Sequence, residues 1–409
     1  MEILETNRRT LQTWSAIVFL LTIFVRIIPG TLIYGSEDVT AWSYASTLWE
    51  YGQDPYTQNY VFNWPPFWLT IVHGLIHAGQ ITGIPSHLMI KMHPITADGI
   101  IALIIFRIFI TISNGDLKKS LTGTCFYSLN PISIVISSIH GNFISVPLSL
   151  LLVAVYFQAF SRKPWNLTWA SLSLGCGIMS KIWPIAALPL FLQKTRSIKQ
   201  KLMFLPLAAA PVLAALLPLY LKNKDMVMER FIKYQSQPGW WGLTGFGQIW
   251  DVRIIKGFCG WYATHGNMIL LATFIGLLFL TRFLDMFRAL LLVFLAVLFL
   301  MNGYGPQYLM LILPFAVILQ SKWLIPFTLF VSALFCFEYG LIPLPDHCSI
   351  PILCNGMQVP SMSMEQLLRI NRMVNIFRLP LWLFIGIWFV NELYSSRTSQ
   401  PLKMPSKHE

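Results

Sequence analysis

Apolar runs of roughly twenty residues recur along the whole chain, near 12–34, 64–83, 94–113, 120–139, 143–160, 168–192, 202–221, 266–281, 287–302, 307–320, 323–342 and 376–393. At about 1.5 Å per residue, a helix of about twenty residues crosses a hydrocarbon core about 30 Å thick. Backbone in that core must satisfy its own hydrogen bonds, so each crossing run is expected to be helical. Composition agrees: 55% of the 409 residues are hydrophobic and 11% are charged, against about 25% charged in ordinary soluble domains. The chain reads as an all-α polytopic membrane protein with about twelve transmembrane helices or half-helices. The first run, Leu11 to Tyr34, is too long for a signal-peptide core and has no small-x-small cleavage site, so it is expected to be a retained span.

The formal charge of +12 lies in short connectors between apolar runs, which is a topology signal rather than a nucleic-acid surface. A consistent positive-inside assignment needs two adjustments. Trp64 to Gly83, with His73, His77 and Gln80, must lie along the outer interface as an amphipathic element. The run 168–192 must be two short helices meeting near Lys181-Ile182-Trp183-Pro184, where proline favours a break. Both termini then fall inside. A long first outer loop, about 35–93, carries the interfacial helices, and further outer segments lie near 139–143, around Lys181, from Lys222 to Tyr262, at 302–307 and at 343–374. The expected organisation is one integral membrane domain: a module over 12–221, an outer loop over 222–262 and C-terminal helices over 266–393. Cys348 and Cys354 share an outer loop, where a disulfide is permitted.

Several outer segments carry chemistry. Glu37-Asp38 sit just beyond the first span, followed by Gly52-Gln53-Asp54-Pro55-Tyr56 and Trp64-Pro65-Pro66. An ordered carboxylate there can act as a general base; alternatively, Ser36 or Asp38 caps a helix starting at Val39. The turn His140-Gly141-Asn142-Phe143 presents donors at the water boundary. Lys181 reaches either an anion or water. Lys222, Lys224, Arg230, Lys233, Arg253 and Lys256 run against the inside bias, with Tyr234 and Trp240-Trp241 among them. A phosphate at headgroup level together with a carbohydrate would account for that mixture. Gly305-Pro306-Gln307-Tyr308 adds hydrogen-bonding tips on a flexible turn. His73 and His77 share a helical face without further ligands, so they read as a packed pair and no metal is expected. No phosphate-binding Gly-rich loop or nucleophile elbow occurs, which disfavours a nucleotide-sugar donor.

In order along the chain, Asp38, Gly52 to Tyr56, Trp64-Pro65-Pro66, Lys91 with Asp98, Asn130-Pro131 with His140 to Phe143, Lys181 to Pro184 and Gly305 to Tyr308 resemble the motifs of superfamily C multi-spanning glycosyltransferases, of the polyprenyl-phosphate-mannose-dependent type. The resemblance implies Asp38 as catalytic base, with Glu37 as the adjacent register. It implies substrate contacts from Asp98, His140, Asn142, Lys181, Gln307 and Tyr308, to which the cations and aromatics of the loop after Lys222 add Lys233, Tyr234, Trp240 and Arg253 as candidate substrate-binding residues. It also implies inverting transfer of a hexose, mannose first, from a polyprenyl-phosphate sugar to a glycan, lipid or protein acceptor outside the cell or in the endoplasmic-reticulum lumen, with no cofactor, no nucleic acid and membrane lipids as surroundings. Ile144-Ser145 stand where such enzymes often carry an acid. The competing readings are a transporter or lipid/glycan flippase, a scramblase, and an acyltransferase using His140 or His73.

Overall fold

A computed structural model describes residues 2–57, 63–160, 165–232, 238–239, 241–250, 252–341 and 364–396. Among these residues the protein is helical and contains no strand. It divides into two compact units, the first Met1–Leu188 with Thr195–Tyr234, the second Pro189–Lys194 with Gln235–Leu402. Among the described residues, five helices are long and apolar enough to cross a membrane, and shorter apolar helices lie among them. The chain is thus an integral membrane protein of the all-helical kind its apolar runs dictate.

In the first unit, α1 is Glu2–Leu32, α2 Glu37–Glu50, α3 Pro66–Thr82, α4 Ser86–Ile112 and α5 Leu117–Ser128. Then come α6, Pro131–Ile134, continuing as a π turn Val135–His140, α7, Ser145–Ala159, and α8, Asn166–Ser180. Helix α4 is the hub: apolar on nearly every face, it packs against α1, α3, α5 and α7. A helix with apolar side chains all round is stable only when surrounded. Two buried charged side chains, Lys91 and Asp98, interrupt that surface. Asp98 meets Arg26 of α1 at 2.6 Å with both side chains fully buried.

Helix α3 has 17 residues, about 25 Å at 1.5 Å per residue, which is short of a hydrocarbon core. Prolines at its start and Gly83 in the left-handed region at its end fix its length. Its buried residues Trp68, Leu69, Val72, Ile76 and Gly79 lie on one face while His77 and Ile81 stay exposed, the amphipathic arrangement read from the sequence. The run 168–192 is broken as the proline suggests. Helix α8 stops at Ser180, Lys181 is extended, Trp183–Ala187 forms a 3-10 turn, and α9 is Leu188–Lys194. Helix α10, Ile198–Lys222, opens with a capping box between Ser197 and Gln200. Its backbone approaches α8 so closely that a Cβ on Gly175 would overlap the Ala208 carbonyl. A short α11, Lys224–Val227, follows.

The second unit holds α12, Phe246–Ile249, α13, Arg253–Thr281, α14, Met286–Leu300, a 3-10 turn Pro306–Ile312 leading into α15, Leu313–Ile318, then α16, Leu324–Leu341, and the helix Met364–Ser395. Helix α14 is its core, buried almost continuously from Met286 to Leu298. Lys194 ties the end of α13, its Nζ donating to the carbonyls of Thr281 at 3.1 Å and Arg282 at 2.9 Å. That is the favoured place for a cation on a helix dipole.

Candidate active site at the mouth of the first unit

The site is built where α1 ends, α2 begins and the π turn after α6 closes. Ser36 caps α2, its Oγ accepting from Asp38 N at 3.3 Å, and its own N–H donates to the His140 carbonyl at 2.8 Å. The helix therefore starts at Glu37, two residues before the start at Val39 read from the sequence, and Asp38 sits in its first turn rather than at its cap. A carboxylate in a first turn is favoured by the helix dipole, and its oxygens remain available for chemistry.

Asn142 supplies the central contact. Its Nδ2 donates to Asp38 Oδ2 at 2.6 Å, while its Oδ1 accepts from Ile144 N at 3.0 Å. The backbone donor fixes which end of the amide faces Asp38. His140 Nε2 lies 3.8 Å from the same Asp38 oxygen. Between them Gly141 adopts φ 78°, and a Cβ there would come within 2.8 Å of Val39 Cγ2 and 3.1 Å of Lys91 Cε. Only glycine fits both the left-handed turn and the close approach. Lys91 supports the corner from beneath. Buried at the start of α4, its Nζ donates to the carbonyls of Gly30, at 3.3 Å, and Ile33 at the end of α1.

Burial alone would raise the Asp38 pKa, but the hydrogen bond and charge of His140, the charge of Lys181 and the Asn142 hydrogen bond outweigh it and hold the carboxyl below its usual value. The Asp38 side chain keeps a quarter of its surface exposed, 25% against 14% for His140. An ionised carboxylate is therefore presented at an opening. Lys181 reaches the same place from the break after α8, its Nζ 5.5 Å from the Phe143 ring centroid. Phe143 in turn stacks on Trp68 at 4.3 Å and meets Trp42 edge-on at 5.5 Å. This aromatic floor was missing from the site read in the sequence, although Trp64-Pro65-Pro66-Phe67-Trp68 marks it.

The structure thus brings together Asp38, His140, Asn142 and Lys181. Asp98 stands elsewhere in the same unit: Oδ2 is held by Arg26 and Oδ1 by the Tyr127 hydroxyl at 2.7 Å, inside the packed helices. Arg26 also donates to Thr22 O, Ser128 O and Ser133 Oγ, so this ion pair locks α1 to α4, α5 and α6. His73 bonds Ser46 Oγ at 3.0 Å and lies against Trp49. Arg253, Gln307 and Tyr308 belong to the second unit, the first exposed and the other two half-buried. Lys233, Tyr234 and Trp240 lie outside the described residues, as do Cys348, Cys354 and the side chain of Glu37.

Two solved structures are similar to this chain in fold. They are the crystal structures of ArnT from Cupriavidus metallidurans, one bound to undecaprenyl phosphate (TM-score 0.50, 11% identity) and one in the apo state (TM-score 0.51, 12% identity). Each match covers 94% of this chain and 78% of that one. The chain therefore has the multi-spanning, superfamily C-like fold that its motifs resemble. No curated protein sequence matches it. The family model described as GPI transamidase subunit PIG-U matches residues 11–232, a segment that contains Asp38, His140, Asn142 and Lys181. Since that segment is more than half of the 409 residues, the chain belongs to the PIG-U family.

Proposed function

We propose that the protein transfers a hexosyl group from a lipid-phosphate sugar to an acceptor hydroxyl at the outer membrane face, with Asp38 as base. The observation that carries this reading is the ionised, part-exposed Asp38 carboxylate held by Asn142 and His140 with Lys181 nearby. The acceptor oxygen attacks the anomeric carbon and its proton passes to Asp38. The bond from that carbon to the phosphate oxygen breaks, and the electron pair leaves on the lipid phosphate. A base of low pKa takes the proton late, once the acceptor oxygen has become acidic by bonding to carbon. Because the leaving phosphate is itself a weak base, no general acid is required. A positioned base contributes about 10²–10⁴ in rate, and a preplaced cation such as Lys181 offsets charge growing on the leaving phosphate. A single displacement inverts the anomeric configuration. A membrane-held lipid donor suits this fold, since a solved structure of similar fold, ArnT, carries undecaprenyl phosphate. Mannose is the first sugar to try, in the endoplasmic reticulum if the host is eukaryotic and at the plasma membrane otherwise.

The family match favours a second reading. As a GPI transamidase subunit, the chain would hold a glycolipid at the same corner without turning it over. One experiment separates the two. The full chain in nanodiscs is given a panel of polyprenyl-phosphate sugars and, in parallel, a GPI glycolipid. Release of polyprenyl phosphate supports transfer. Retention of the GPI glycolipid, with no release from any donor, supports the holding subunit.

A further inference from the structure

The aromatic floor beneath Asp38 reaches Lys181 through contacts in series. Lys181 Nζ stands over the Phe143 ring, 5.5 Å from its centroid. Phe143 stacks on Trp68 at 4.3 Å with the ring planes 11° apart, and Trp68 stacks on His93 of α4 at 5.3 Å. Trp42 meets Trp68 edge-on at 4.9 Å. Trp42 stands one turn after Asp38 on α2, so the two share a helix face. Phe143 directly follows Asn142, the donor to Asp38. Trp68 thus touches both a helix neighbour of the base and the ring beneath the cation.

The local sequence explains why Trp68 can hold that place. Pro65 and Pro66 open α3, and the Trp68 N–H donates to the Pro65 carbonyl at 3.0 Å, so the indole rides on a first turn whose backbone the prolines stiffen. Trp68 is 1% exposed and Phe143 is fully buried. A close-packed ring cannot tilt without displacing its neighbours. Lys181 is different: it sits in extended backbone between α8 and a 3-10 turn, on a long stem with many rotamers. An ammonium on such a stem is localised by its contacts, and the negative face of a fixed ring provides one. This inference rests on the transfer reading, in which Lys181 steadies the departing phosphate. We propose that Trp68 is the positioning residue for that cation: it fixes the Phe143 ring and so places Lys181 against the phosphate of the lipid substrate. Trp68 itself is buried and acts through Phe143. The short interfacial helix α3 then carries the residue that sets the grip on phosphate.

The test uses farnesyl phosphate, a short polyprenyl phosphate, and farnesol, the same chain without the phosphate. Dissociation constants are measured on the full chain in detergent for wild type, Trp68→Leu, Trp68→Phe, Lys181→Gln and the double variant of Trp68→Leu with Lys181→Gln. Trp68→Met, which fills the space flexibly without a ring face, is measured beside Trp68→Leu, and melting temperatures show which ring-less variant is folded. Wild type is expected to prefer farnesyl phosphate. Loss of the ring should weaken farnesyl phosphate about 5–10-fold and leave farnesol within about twofold. Trp68→Phe should restore most of the binding. In the Lys181→Gln background, loss of the ring should change farnesyl phosphate binding no further. Equal weakening of the two ligands overturns the proposal, and so does the same loss in the Lys181→Gln background. A wild type that binds both ligands alike overturns it too, by removing Lys181 from the phosphate. None of these measurements needs turnover. Coupled variants without sugar release would sink the transfer reading and leave the place of Trp68 intact, whereas sugar release with uncoupled variants would do the reverse.

Discussion

Asn142 Nδ2 donates to Asp38 Oδ2 at 2.6 Å although 104 residues separate them. The contact joins the first turn of α2 to the turn that closes α6, and the backbone of Ile144 orients the amide. A charge-assisted hydrogen bond of this kind contributes about 1.5–3 kcal/mol. Asn142→Ala is expected to lower the transfer rate about 10–100-fold. Asn142→Asp should do more, because a second carboxylate raises the Asp38 pKa. Single-turnover release of lipid phosphate measures both. Wild-type rates in both variants would remove Asn142 from the machinery.

The depressed Asp38 pKa gives a direction in pH. A carboxylate whose folded pKa lies below its unfolded value, about 3.9, contributes stability that is fully present above that value and fades as pH falls through the folded one. The difference in melting temperature between wild type and Asp38→Asn should be constant from about pH 5 upward and shrink below about pH 4. A difference that instead changes between pH 6 and 8 would show that Asp38 titrates near neutrality.

Arg26 and Asp98 form an ion pair with no exposed side-chain surface. Removing one partner strands the other charge and costs about 3–5 kcal/mol. Arg26→Met and Asp98→Asn should each destabilise the protein by that order, and the double variant should recover much of the loss. Chemical denaturation of the three variants in detergent tests this. Strict additivity of the two losses would argue against a coupled pair.

Gly141 sits at φ 78° with Val39 and Lys91 directly against the place a Cβ would occupy. Gly141→Ala is expected to cost about 1–3 kcal/mol and to impair transfer as well, since it moves the residues on either side, His140 and Asn142. Gly52, also left-handed at φ 69°, has nothing within 4 Å. Gly52→Ala should lower stability by less, about 1 kcal/mol, and leave transfer unchanged. Comparing the two variants separates a cost of backbone conformation from a cost of crowding.

Much of this was legible in the sequence because a membrane narrows the choices. Apolar runs with no internal alternative become helices, and the proline after Trp183 breaks one where charge balance requires a break. His140 and Asn142 were readable as a donor-bearing turn, and Asp38 as an acid beyond a span. Their meeting was not, since it rests on a π turn and on the pairing of Ser36 N with the His140 carbonyl, neither of which has a local signature. Asp98 shows the opposite limit. An acid within an apolar run signals a partner, but whether that partner is substrate or Arg26 depends on tertiary packing. The aromatic floor of Trp42, Trp68 and Phe143 was hidden for the same reason, because three distant aromatics look alike until they stack.

The central claim is that Asp38 takes the acceptor proton during transfer from a lipid-phosphate sugar. The most direct measurement compares wild type with Asp38→Asn in nanodiscs for release of polyprenyl phosphate from polyprenyl-phosphate mannose in the presence of a hydroxyl acceptor, with melting temperatures recorded in parallel. The account predicts release by wild type and a loss of about 10²–10⁴-fold in a folded variant. Equal release by the two proteins, or none by wild type with any polyprenyl-phosphate hexose, would contradict it.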